Sequence, residues 1–170
     1  MTHSKFAKLI EGFCAASGLD EPEKIVQGGP VEVGDVLFSL VHNETANPDL
    51  VYIYCDFGLV PQGREAEIYR TLLETNTFLY SGSGPTFAIS PDTRRVILVD
   101  HQRLDAITPK GLREHMIKMQ EHAMSWRLDF FLSEKSRGAK NKTSGLAMAG
   151  ALQAKQGTMD RLMRISTTKQ

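Results

Sequence analysis

The sequence predicts an α+β protein: an antiparallel twisted sheet of about five strands covered by three helices, in the order α-β-β-β-α-β-β-α. Three observations lead there. Between Val51 and Phe78 the apolar period switches from two to 3.6 across a break at Gly58–Pro61, so a strand passes through a turn into a helix. Leu112, Met116, Met119, Ala123, Trp126 and Phe130 follow at spacings of 4, 3, 4, 3 and 4, an apolar seam along more than five helical turns. The remaining strands come in short groups separated by helices, which favours pairing between sequence neighbours.

In chain order, Thr2 to Ser17 carries a helical stripe of Phe6, Leu9, Phe13 and Ala16, widened by Ile10 and Cys14, and Gly18 can end that helix in the left-handed conformation. Asp20 to Gly34 is polar, with Pro22, Gly28, Gly29 and Pro30, and reads as a loop with a short strand at Val31 to Val33. Val36 to His42 is a strand, nearly all apolar, so either both its faces are covered or one awaits a partner. Asn43 to Asp49 is turn chemistry joining it to the Val51 to Phe57 strand as a hairpin. The helix that follows, Gln62 to Thr77, shows two adjacent stripes, Ala66, Tyr69, Leu73 and Asn76 beside Ile68, Leu72 and Thr75; periodicity does not say which faces inward. Thr86 to Ser90 and Arg95 to His101 are strands around a Pro91-Asp92-Thr93 turn, and Thr108-Pro109 opens the long helix as N-cap and first helical residue. Residues 1–134 form one domain; 135–170 form a basic extension with a linker to Gly145, then a second amphipathic segment that docks or stays disordered.

The formal charge of zero conceals an asymmetry. Residues 1–134 carry 12 Lys and Arg against 19 Asp and Glu, a net −7, and residues 135–170 carry 8 against 1, a net +7. The tail has no aromatic residue to stack on bases and the body repels phosphate, which argues against nucleic acid as a partner. No apolar run approaches the roughly 20 residues of a spanning helix, so membrane insertion is not expected. Two isolated cysteines, Cys14 and Cys55, fit a reducing cytoplasm better than a disulfide framework.

Catalytic signals are weak. Asp56-Phe57-Gly58 matches a kinase metal-binding triplet, but neither the glycine-rich loop with its strand lysine nor the His-Arg-Asp loop accompanies it. His115 and His122 share a helix face about 10 Å apart, too far to grip one metal unaided. No catalytic residue, metal site or cofactor is expected.

The ordered set of motifs resembles the Tir-chaperone (CesT-like) family of type III secretion chaperones. It comprises Phe6-x-x-Leu9-Ile10-x-x-Phe13 ending at Gly18-Leu19, then Phe38-x-Leu40, then Asp56-Phe57-Gly58-Leu59-Val60-Pro61 leading into Tyr69-x-x-Leu72-Leu73-Glu74-x-Asn76. Gly84-Pro85-x-Phe87-x-Ile89, the Asp92 turn, Val96-Ile97-Leu98 and the final helix complete it, over about residues 3 to 133. The basic extension departs from the pattern.

The resemblance implies a non-enzymatic, cytoplasmic homodimer from a Gram-negative bacterium that binds an extended N-terminal segment of a secreted effector and presents it to the secretion apparatus. Strand addition at a sheet edge and apolar grooves would supply the binding. It points to Phe6, Leu9 and Phe13 of the first helix with Val36, Phe38 and Leu40 of the neighbouring strand as client-facing, and to Ile68, Leu72 and Thr75 of the second helix as the dimer interface. An adaptor that holds a folded partner is the alternative.

Overall fold

Helix α1 (Thr2–Ser17) runs to Gly18, which takes the left-handed conformation (φ 68°) while the Leu19 N–H donates back to the Cys14 carbonyl at 3.0 Å. In the computed structural model, which describes residues 2–79, 84–133 and 163–165, a one-turn helix α2 (Pro22–Val26) follows. The sequence reads as loop there, because five residues are too few to show a period; proline at the first turn and the fully buried Ile25 hold it in place.

Strands β1 (Val31–Val33), β2 (Val36–Asn43) and β3 (Asn47–Gly58) form an antiparallel meander, the first two joined by Gly34-Asp35 with Gly34 at φ 60°. Helix α3 (Glu65–Leu79) leads to the hairpin β4 (Thr86–Ile89) and β5 (Val96–Arg103), and α4 (Pro109–Asp129) closes the body. At the start of α4 the Gly111 N–H donates to the Thr108 hydroxyl at 3.0 Å, and its end is capped by Phe130 in the left-handed conformation.

All pairings are antiparallel and the order is β4-β5-β3-β2-β1-β6. The α+β class and the five body strands are those the sequence predicts. The sixth, β6 (Met163–Ile165), comes from the C-terminal extension and pairs with β1. The basic linker and amphipathic segment expected between 135 and 162 lie outside the described residues.

Helices α1 and α4 cover one face of the sheet. The inward residues of successive strands, Val36, Phe38 and Leu40, then Val51, Ile53, Cys55 and Phe57, then Val96 and Leu98, form one core with Leu112, Met116, Met119, Ala123 and Trp126 of α4. Gly12 lets α1 approach α4, since a Cβ there would stand 2.6 Å from Pro109 Cγ. The other sheet face carries no helix of the described residues.

Candidate binding surfaces

The period of two in β2 places Val36, Phe38 and Leu40 on the helix-covered side, and the stripe of α1 turns Phe6, Leu9 and Phe13 onto the same core. All six are at most 6% exposed. The side chains expected to face a client are thus part of the core in the folded protein. The near-continuous apolar run in β2 has a second cause, on its other face.

On that other face Leu37 is 41% and Val41 38% exposed. The register sets out rows across the strands: Ser39, Tyr54, Val99 and Thr86 lie side by side, and Val41, Tyr52 and His101 form the next row. Leu37, Val41, Tyr54 and Ile97 line a hollow of about 420 Å³, with the ion pair Arg95 Nε to Asp56 Oδ2 at 2.6 Å on its wall. This surface is apolar in the middle, polar at the margin and open to solvent.

A second surface lies on α3. Ile68 and Leu72 are buried against the core and the Thr75 hydroxyl donates to the Thr71 carbonyl at 2.8 Å, so the stripe expected to meet a second subunit packs inward in the monomer. The outward stripe is the alternative one, led by Leu73 at 68% exposure. Tyr69, Leu73 and Ile89 line an almost wholly apolar groove of about 170 Å³ between α3 and β4. Asn76 sits in its floor and fixes the geometry: its Nδ2 donates to the Phe87 carbonyl at 3.1 Å, and its Oδ1 accepts from the Phe87 N–H at 2.7 Å.

The residues that resemble catalytic motifs have structural employment. The register shifts between Asp56 and Gly58, so the triplet is a β-bulge, with Gly58 at φ 116° and Phe57 in the core. Arg127 serves the carbonyls there: its Nη2 donates to Asp56 O at 2.9 Å, its Nε to Phe57 O at 2.8 Å and its Nη1 to Asp35 O at 2.9 Å. One guanidinium thus ties α4 to β3 and to the β1–β2 turn, a role sequence reasoning missed because its partners are backbone atoms 70 and more residues away.

His115 Nε2 lies 2.7 Å from Asp100 Oδ2. Burial pushes the Asp100 carboxyl up, but the hydrogen bonds from His115 and the His101 N–H, the charge of His115 and a bond from Gln102 outweigh it and hold the carboxyl below its ordinary range. Burial, reinforced by Glu23, pushes the Cys14 thiol up to about 11, and burial pushes Cys55 up as well, so neither is poised as a nucleophile. No group of three His, Cys, Asp or Glu among the described residues could hold a metal ion.

The sequence profile of the Tir chaperone protein (CesT) family matches residues 8–127, most of the body. The chain belongs to the CesT family. The family resemblance, the α+β fold and the chaperone class expected from the sequence agree with this match. Among solved structures, the crystal structure of the ExsC–ExsE complex is similar at a TM-score of 0.54 and 16% identity, over 75% of this chain and 94% of that one. The Yersinia pestis type III secretion chaperone SycH, in complex with a stable fragment of YscM2, is similar at 0.47 and 14%, over 71% and 98%. The HopA1–SchA chaperone–effector complex is similar at 0.49 and 10%, over 75% and 96%. The first of these likenesses, at low identity, speaks to the fold alone. No curated protein sequence matches the chain. No helix of the described residues is long and apolar enough to cross a membrane.

Proposed function

We propose that this CesT-family chain binds an extended N-terminal segment of a secreted effector on the open face of its sheet and keeps it secretion-competent. It does so as a cytoplasmic homodimer, with no chemistry of its own. The observation that carries the binding site is the uncovered face, where Leu37 and Val41 stand exposed beside Tyr54 and Ile97 around a hollow open to solvent. A folded domain would need a flat complementary surface; an unfolded segment can lay alternate apolar side chains into the hollow and bring basic ones to the acidic body. The client-facing role expected of the Val36, Phe38 and Leu40 strand thus passes to the alternate residues of that strand, with the core residues holding it in position.

The groove beside Leu73, Tyr69 and Ile89 supports an isologous dimer through α3, since its lining is apolar and a second copy would bring the same patch. Leu72 also lines that groove, and the buried Ile68 supports it from below.

Co-expression with the product of a neighbouring secreted-protein gene tests the function. Capture of an unfolded N-terminal segment is expected. Leu37→Glu combined with Val41→Glu should lower that capture about tenfold or more, because charges would be buried unpaired, while leaving the unfolding midpoint unchanged. Capture of a folded domain alone would make the chain an adaptor instead.

A further inference from the structure

Edge strands present a row of unpaired N–H and C=O groups, and both ends of this sheet deal with that row. At the β4 end, the Asn76 side chain takes both backbone groups of Phe87. At the β1 end, the chain's own C-terminal segment lies antiparallel, with Val31 opposite Ile165, Glu32 opposite Arg164 and Val33 opposite Met163.

The hydrogen-bonding direction follows from the turn. Val33 and Val36 flank the two-residue Gly34-Asp35 loop as a closely bonded pair, and bonded and non-bonded pairs alternate along an antiparallel ladder. Glu32 therefore turns its N–H and C=O away from β2 and toward Arg164. The segment occupying the edge reads apolar, basic, apolar against the apolar, acidic, apolar Val31-Glu32-Val33.

We propose that Met163–Ile165 is a built-in competitor, which holds the outer edge of β1 until an extended segment of apolar–basic–apolar pattern displaces it. The proposal rests on the reading of the chain as a client-binding chaperone. Two features make the resident strand displaceable. It is three residues long and pairs on one side only, whereas an incoming strand can continue past both its ends and reach the exposed face of β2 next door. It is also tethered, so its effective concentration does not depend on protein concentration, and the apparent affinity for an incoming strand falls by the fraction of molecules whose edge is free.

A fluorescein-labelled peptide with the sequence of residues 160–169 serves as the incoming strand, titrated into the full chain and into Arg164→Pro, which removes the N–H facing Glu32. The variant should bind the peptide about tenfold or more tightly than the parent. In hydrogen exchange the Glu32 amide should be protected in the parent and exposed in the variant, with protection elsewhere unchanged. Arg164→Glu should likewise open the edge by placing like charges in register, and adding Glu32→Arg should close it again. Equal peptide affinity in parent and Arg164→Pro, or a Glu32 amide already unprotected in the parent, overturns the proposal.

Both proteins are also offered the co-expressed secreted segment. Tighter peptide binding by the variant with no capture by either protein leaves the edge switch standing and overturns the chaperone reading. Capture that is equal in both, or weaker in the variant, overturns the switch and leaves the chaperone reading intact.

Discussion

Arg127 closes three backbone carbonyls that the bulge at Asp56-Phe57 and the Gly34-Asp35 turn leave outside the ladder. Charge-assisted bonds of this kind contribute more than neutral ones, and the part-buried Asp56 and Phe57 carbonyls would be costly to orphan. Arg127→Ala should therefore lower the unfolding free energy by about 2–3 kcal/mol in urea titrations. Arg127→Lys should recover little of it, since a point charge on a flexible stem cannot address three carbonyls in a fork. Asp100 makes a second residue-scale case. Its folded carboxyl titrates below the ordinary 3.8, so its interactions stabilise the protein above that value and are lost as pH falls through the lower, folded one. Asp100→Asn should cost about 1–3 kcal/mol at neutral pH, and the gap to the parent should close as the pH is taken below about 4. Equal costs at pH 7 and pH 3 would show that Asp100 acts through packing alone.

Helix α3 shows what element-scale patterns settle and what they leave open. Two stripes, Ile68 and Leu72 beside Tyr69 and Leu73, are both visible as a period of 3.6, yet only the first is fully buried, with Tyr69 packed partly against the core and Leu73 exposed. The bonds from Asn76 to Phe87 set the rotation, because they dock the helix against the β4 edge with Leu72 inward and Leu73 outward. The two neighbouring leucines should therefore respond differently to the same substitution. Leu73→Asp should give a folded monomer in sedimentation velocity with an unchanged circular dichroism spectrum. Leu72→Asp should cost about 3 kcal/mol or more through a buried unpaired charge, and should unfold the body before it alters assembly selectively. A Leu73→Asp protein that sediments like the parent would remove α3 from the interface.

On the scale of the whole molecule, charge and layering act together. A body of net −7 carries one sheet face bare of helices among the described residues, and an edge filled by a segment from an extension of net +7. The acidic field should draw basic client segments to the open face, and screening should remove that contribution. Capture of the secreted segment should thus slow and weaken as salt rises from about 0.1 M to about 1 M, over which the Debye length falls from ~10 to ~3 Å. Capture indifferent to salt would show that apolar contact and strand pairing, and not the acidic field, carry the binding.

By itself, the sequence determined the class of fold, five strand positions, three helices and the family, because each rests on short-range periodicity, turn chemistry and the order of apolar motifs. It also marked β2 as a strand apolar on both faces. Only the tertiary structure decided which residues of that strand are free: a period of two names two faces, and the packing of α1 and α4 chose Val36, Phe38 and Leu40 for the core and left Leu37 and Val41 outside. The same holds for the inward stripe of α3 and for the carbonyl partners of Arg127. The pairing of Met163–Ile165 with β1 was hidden most completely, since a three-residue strand has no period to read and its partner lies some 130 residues earlier in the chain.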